Sequence, residues 1–495
     1  MPLLPLRRFI ALALIAGLAA LTPACNRQGG GAVKLAIIGD TPKVIDPISG
    51  PLSIGDALLI ANVAQGLVRF DARGQIEPGL AERWNVSDDG LSYIFRIAQG
   101  EWQSGGKISA HQVARMLRRQ LAGSSKNSLK DTLGAVDEIV AMTDRVLEIR
   151  LRAPRPFLLQ LLAQPEFALV RNGQGSGPFA ISDKPGPAGQ LRLTRRVAVP
   201  DGDEGRREEV RLSGAKVSAA IRDFVAGDLD LVLGGTFADL PYARRVTLPR
   251  NALLFDPVSG LFGLFPTRND GPIADPDVRR LLAQAIDRDS LITALDVAGL
   301  VGRGTILEAG LEGLPDPVTP TWLTAPIGER RPNLIADGDR LFGTLDRPTL
   351  LIELPEGPGA NIIFNRLASD WALLGVQLQR AEKGARADLR LVDAVAPSNS
   401  PAWYLRQFRC GQAPICDEEV DKLLDAARAA SVAPQRAALL SEAARRIDDL
   451  QLFLPIAAPI RWSLVSARIE GFAGNRFARH TLTALEEKLT REGGQ

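Results

Sequence analysis

Strand-like and helix-like runs alternate from residue 33 to about 485 of this chain, and they do so at no fixed interval. A barrel of strand–helix units would keep a regular beat, and a solenoid would show a repeat; neither is present. What remains is an α/β protein built from lobes with mixed sheets. With 495 residues the chain exceeds what one hydrophobic core serves, so two or three domains are expected. The spacing predicts a buried strand over 33–38, stopped by Gly39-Asp40-Thr41-Pro42. It predicts a helix leading into a strand over 56–70, and strands at 93–97 and 146–151. Ser109 is placed to cap a helix ending near Leu121, because its hydroxyl can accept a free backbone N–H at the helix start. The glycine-rich stretch 173–177 reads as a crossing between domains, followed by strands at 191–195, 210–212 and 229–233 and helices at 217–226 and about 275–286. Residues 302–347, rich in Pro, Gly and charge, read mostly as loops. Strands at 350–354 and 376–379, and helices at 362–374, 417–430 and 433–450, complete the reading.

Before residue 33 the pattern is different. Arg7 and Arg8 precede an apolar run over 9–21, then Thr22-Pro23-Ala24-Cys25. A charged start, a short apolar core and a small residue before the cut describe a signal peptide over 1–24. The run is shorter than the roughly 20 apolar residues a spanning helix needs. Cys25 after Ala24 resembles a bacterial lipobox, with Thr22 where the lipobox leucine stands and Leu21 one place further back. The lipobox reading makes Cys25 a lipidated N-terminus; the alternative is an ordinary cleaved signal with an incidental cysteine. Residues 25–32 then form a polar, glycine-rich tether. The chain is expected to be exported, periplasmic and held to a membrane by a lipid.

Composition excludes several functions. The 59 basic residues include Arg7 and Arg8, so the rest of the chain carries as many cations as its 57 acids. A balanced charge gives no electrostatic case for nucleic acid. There is no Gly-x-Ser-x-Gly elbow, no His-Glu-x-x-His and no Gly-x-x-x-x-Gly-Lys loop, and His111 and His480 are the only histidines. An enzyme is not expected, nor a cofactor or metal. Cys410 and Cys416 flank five residues that include Gly411 and Pro414. In an oxidising compartment they can close a small disulfide loop; free thiols or a metal pair are the alternatives. Trp84 and Trp102 read as core residues, and the two histidines as surface or satisfied polar residues.

A dense block runs from Asn62-Val63-Ala64-Gln65-Gly66-Leu67-Val68 through Glu77-Pro78-Gly79-Leu80-Ala81-Glu82-Arg83-Trp84. Ser87-Asp88-Asp89-Gly90, Gly105, Ala110 and Val113, Ser176-Gly177-Pro178-Phe179, Gly227-Asp228-Leu229-Asp230, Asp277-Val278-Arg279-Arg280 and Ala285-Ile286-Asp287-Arg288 follow it in order. Together these blocks resemble the solute-binding proteins of family 5, the peptide, dipeptide and nickel receptors of ABC importers. The chain departs from the family at Ser104 and Gln112, where acids are usual, and at Pro266, where asparagine is usual. It departs again at Pro397, in the register where peptide receptors place the acid that meets a peptide α-ammonium.

The resemblance implies a two-lobed periplasmic binding-protein fold with mixed sheets and a hinge. This is the large class II type, with an extra domain on the N-terminal lobe. The expected division is 33–55, 176–260 and 466–490 for the core of lobe I, 56–175 for the extra domain and 261–465 for lobe II. It implies a substrate-binding component of an ABC importer, a monomer with a peptide or other small solute between the lobes. The partners would be permease subunits with their ATPase. Candidate ligand contacts are Asp40 and Thr41 after the first strand, Arg268 through its fork of donors, and Asp393, Trp403 and Tyr404 in the counterpart of the peptide-anchoring segment. The rival reading is a periplasmic lipoprotein, a scaffold or sensor, that kept the fold without the transporter.

Overall fold

The computed structural model describes residues 31–487, apart from 185, 199–204, 312, 344–346 and 383. The leader, Cys25 and most of the tether lie outside the described residues.

The apolar run Val33–Ile38 is the central strand of a seven-stranded sheet and is parallel to both neighbours, Arg206–Ala215 and Leu231–Thr236. Burial on both faces explains its apolar character, which only Lys34 near its start interrupts. Arg461–Val465 and Leu253–Phe255 extend the sheet on one side, and Leu191–Val197 and Ala180–Ile181 on the other, all antiparallel. A second, five-stranded mixed sheet runs Gln377–Arg380, Thr349–Glu353, Leu389–Val395, Gly260–Pro266, Leu454–Ala457. A third, antiparallel sheet of four strands joins Ala81–Val86, Ser92–Ile97, Val146–Leu151 and Val136–Ala141, with the helix Ala110–Leu121 packed on it. Ser109 caps that helix by accepting from Gln112 N. The Gln112 side chain accepts in turn from the indole of buried Trp102 at 3.0 Å, which gives this non-acidic residue a structural task.

Two passages connect the first two sheets. The chain leaves through 256–259 and returns through 458–460. The return is earlier than the expected boundary at 465, because Arg461–Val465 pairs with Leu231–Thr236 and Leu253–Phe255 of the first sheet. The helix Ile54–Val63 sends Leu58, Leu59 and Val63 into the core of the first sheet, and the separate core of the third sheet begins at Leu67. Further on, Gly177 passes the end of that helix. A Cβ there would sit 2.5 Å from the Val63 backbone, so only glycine lets the two segments meet.

The stretch read as loops contains the helix Ile327–Phe342, with Pro332 inside it. Tertiary packing outweighs the breakers. Leu334 and Gly338 are buried, and a Cβ on Gly338 would come within 2.8 Å of the Leu374 carbonyl.

Two arginines of the recurring blocks are structural. Arg279 donates to the carbonyls of Leu450, Gln451, Ile273 and Ala274. Arg288, fully enclosed and stacked over Trp322, donates to Pro455, Arg303 and Ala283 and so fixes the strand that leads back to the first lobe. Burial pushes its guanidinium down to about 9.

Candidate ligand-binding site

A cavity of about 280 Å³ lies where the first sheet, the second sheet and the extra domain meet. That is near the low end of the roughly 300–1,000 Å³ typical of ligand sites. The first lobe contributes Leu233, Gly234 and Gly235 with Arg461, Trp462 and Ser463 from the adjacent strand; the helix Ile54–Val63 adds one wall. The second lobe contributes the strand end 394–397 and Trp403, the extra domain Gln164 and Glu166, and the C-terminal loop 477–480.

The floor depends on an irregularity. The strand pairing slips between Val232 and Gly235, and Gly234 has φ +86°. The indole of Trp462, 1% exposed, lies over the gap and donates to Thr236 O at 2.8 Å. A Cβ on Gly235 would stand 2.2 Å from its ring.

The loop 475–480 is built by one asparagine. Asn475 accepts from the backbone N–H of Phe477 and Arg479, donates to the Arg479 carbonyl, and its own N–H reaches Asp256. The turn carries Arg479 and His480 to the cavity wall. Arg479 meets Glu166 at 2.8 Å and Gln164 at 3.0 Å, and His480 Nε2 lies 3.3 Å from Asp256 Oδ2. On the opposite side Arg461 Nη1 donates to both carboxylate oxygens of Asp393, at 2.8 and 2.9 Å, joining a first-sheet strand to a second-sheet strand beside the hinge. Burial pushes the Asp393 carboxyl up, and the guanidinium opposes that shift. Glu166 and Asp393 therefore each already face an arginine, and Asp256 lies beside the His480 imidazole. Pro397, the position the sequence resemblance sets in the register of an ammonium-binding acid, offers only its carbonyl, which accepts from Gln164 at 2.8 Å and ties the second lobe to the extra domain.

Of the residues proposed from sequence, Trp403 lines the cavity. Tyr404 packs edge-on against it, but is wholly buried in the second lobe and donates to Glu308. Asp393 sits one residue before the lining, engaged by Arg461. Asp40 and Thr41 are exposed past the end of the first strand and do not line the cavity. Arg268 lies past the other end of Gly260–Pro266 and pairs with Asp270 at 2.7 Å and Asp388 at 3.0 Å, away from the cavity. Cys410 and Cys416 are joined, with Cα atoms 5.0 Å apart, and the loop is pinned by Cys410 N–H to Asp421. Sequence reading did not single out Glu166, Asp256, Arg461 or Arg479, and took His480 only as a satisfied or surface residue. A signal existed for Arg461: the buried run 452–465, broken by prolines and one arginine, has the form of two strands with a crossing between them. Among the described residues no group of three or more His, Cys, Asp or Glu is placed to hold a metal ion.

Comparison with known proteins follows the same lines. The sequence model of the bacterial extracellular solute-binding proteins, family 5 Middle, matches residues 75–322. A protein of Pseudomonas aeruginosa (strain UCBPP-PA14) named "Probable di/tripeptide-binding protein 5" is 25% identical over 487 residues, covering 85% of this chain and 89% of that one. The dipeptide-binding protein of Pseudomonas aeruginosa is 23% identical over 541 residues, covering 97% and 98%. Haemophilus influenzae OppA, solved in complex with RPPGFSPFR, superposes with a TM-score of 0.78 at 16% identity over 93% of this chain and 100% of that one. The Escherichia coli murein tripeptide binding protein MppA gives 0.78 at 18% identity over 93% and 99%.

Proposed function

This chain belongs to the bacterial extracellular solute-binding proteins, family 5, and from that premise we propose that it is the exported receptor of an ABC importer. It binds a peptide or peptide-like solute between its lobes and presents it to permease subunits driven by an ATPase. The family is one of binding proteins, not of enzymes. The observation that carries the reading is the cavity lined by both lobes and the extra domain, with two short passages joining the first and second sheets. Such a joint lets the lobes close on a solute, so that the occupied, closed form is the one a permease selects. The names of the relatives, di/tripeptide-binding and dipeptide-binding, support a short peptide.

In this reading the first lobe is 33–65, 170–255 and 461–487, the extra domain 66–169 and the second lobe 260–457, a division supported by the sheets and their cores. Cys25 carries the lipid that holds a monomer at the membrane in the periplasm. Among the described residues no helix is long and apolar enough to cross a bilayer.

Native mass spectrometry of the protein, purified in the form its host makes, tests the reading. A ladder of short-peptide masses is the expected result. One non-peptide mass keeps the receptor and replaces its solute. A protein that carries nothing, and is not stabilised by peptide mixtures, favours the scaffold or sensor.

A further inference from the structure

A second and larger cavity, about 670 Å³, lies between the extra domain and the second lobe. Trp403 lines both cavities, and the segment 394–403 runs from one to the other. The linings differ in charge. Among the described residues seven lysines and arginines line the second cavity against one acid, Asp131.

Some of that charge is answered from outside the lining. Arg409 and Arg428 share Asp425, and Arg152 meets Asp137. Among the described residues Arg155 and Arg406 have no carboxylate within ion-pair distance. Arg155 donates only to the carbonyls of Pro154 and Arg428, at 2.7 and 3.2 Å, with Arg436 beside it. Burial and that like charge push it down to about 10. Arg406 Nη1 is enclosed without a hydrogen-bond partner, and burial pushes the guanidinium down while Asp131 alone opposes. Ser398, 1% exposed, lines the same cavity with its hydroxyl unpartnered. The contrast with Arg279 and Arg288 is informative, because these two are more enclosed than the half-buried Arg155 and Arg406 yet spend their donors on backbone carbonyls. A buried, unanswered guanidinium is costly unless something brings it an anion.

We infer that the solute extends from the first cavity past Trp403 and places carboxylates in the second, held by Arg406 and Arg155. This rests on the receptor reading above and narrows its solute to acidic peptides or peptide-like acids. A guanidinium fork matches a carboxylate with two parallel donors. In the first cavity Arg479 already pairs with Glu166, whose Oε2 is left without a hydrogen-bond partner, and Asp256 lies beside His480; the surplus of cations is in the second cavity, so the main anchoring contact is anionic and the N-terminus contributes less.

Calorimetric titration of the processed protein, freed of solute by dialysis, uses Ala-Ala-Ala, Ala-Ala-Lys and Ala-Glu-Glu, each with a free and an acetylated N-terminus. Ala-Glu-Glu is expected to bind at least about tenfold more tightly than Ala-Ala-Ala, with acetylation changing each affinity by less than about threefold. Arg406→Gln and Arg155→Gln are expected to bring the acidic-to-neutral ratio toward one, and Arg406→Lys to restore part of it; circular dichroism confirms that each variant is folded. Equal binding of acidic and neutral peptides overturns the inference and leaves the receptor reading standing. So does strict dependence on a free N-terminus. Stabilisation by inorganic phosphate but not by Ala-Glu-Glu overturns the carboxylate assignment. Failure of every peptide to bind overturns the receptor reading, and the inference with it.

Discussion

The two cavities use the same residue type in opposite ways. Around the first, Arg461 and Arg479 are each locked onto a carboxylate, and the site is close to neutral. Around the second, among the described residues, Arg155 donates to carbonyls and Arg406 has Asp131 alone opposing its burial with Nη1 unpartnered, so positive charge is left over. An arginine count in a lining therefore says little until each partner is named. A paired arginine holds elements together, whereas an unpaired buried one waits for an anion.

The pairing beside the first cavity is the easiest half of the comparison to break. Arg461→Met leaves the Asp393 carboxylate buried beside the hinge with no cation. Removing one partner of a buried pair costs about 3–5 kcal/mol, so chemical denaturation should show a loss of that size. Asp393→Asn in the same chain should recover a large part of it, since no orphaned charge remains. If Arg461→Met is neutral, the pair is not what steadies the two crossings. A smaller loss is expected from Gly235→Ala. Its Cβ would press into the Trp462 ring on the cavity floor, and overpacking of this kind costs about 1–3 kcal/mol. A lowered melting temperature together with weakened solute binding is the expected outcome. Substitution of Asp40 or Thr41, both exposed, should stay within about 0.5 kcal/mol in stability, and neither should alter solute affinity.

The lobes were legible where local signals and long-range packing agree. The strands Val33–Ile38 and Val146–Leu151 and the helix Ala110–Leu121 capped by Ser109 all announce themselves through spacing and caps. The helix Ile327–Phe342 does not, because Pro332 and Gly338 read as breakers until its packing against Leu374 is known. The site was legible only at Trp403. Glu166, Asp256, Arg461 and Arg479 are far apart in the chain and meet only when the sheets are joined by 256–259 and 458–460. Arg268 misled for the converse reason. A fork of donors near a strand end suggests a carboxylate ligand, but its carboxylates are the protein's own Asp270 and Asp388.

A third buried charge sharpens the contrast, because it can be discharged. Asp448 in the second lobe accepts from Ile306 N–H at 2.8 Å and, among the described residues, faces no cation across an ion pair. Burial pushes its carboxyl up to about 8. A carboxyl can escape that cost by keeping its proton and becoming neutral, whereas a guanidinium would have to lose one, which it does not do at ordinary pH. The folded protein therefore holds a proton on Asp448 that the unfolded chain, with a carboxyl near the usual 3.8, has already lost. Stability from this group is full below the unfolded value and falls as pH rises from about 4 toward 8, by at most about 1.4 kcal/mol per unit. Asp448→Asn keeps the acceptor for Ile306 and removes the titration. Between pH 6 and pH 7 the parent should lose stability relative to this variant by up to that amount, read as the difference between their denaturation free energies. Equal slopes would mean that Asp448 is ionised in the fold. The second lobe would then tolerate an unpaired buried charge of either sign, and the unanswered charge of Arg406 would carry far less weight as a sign of a missing anion.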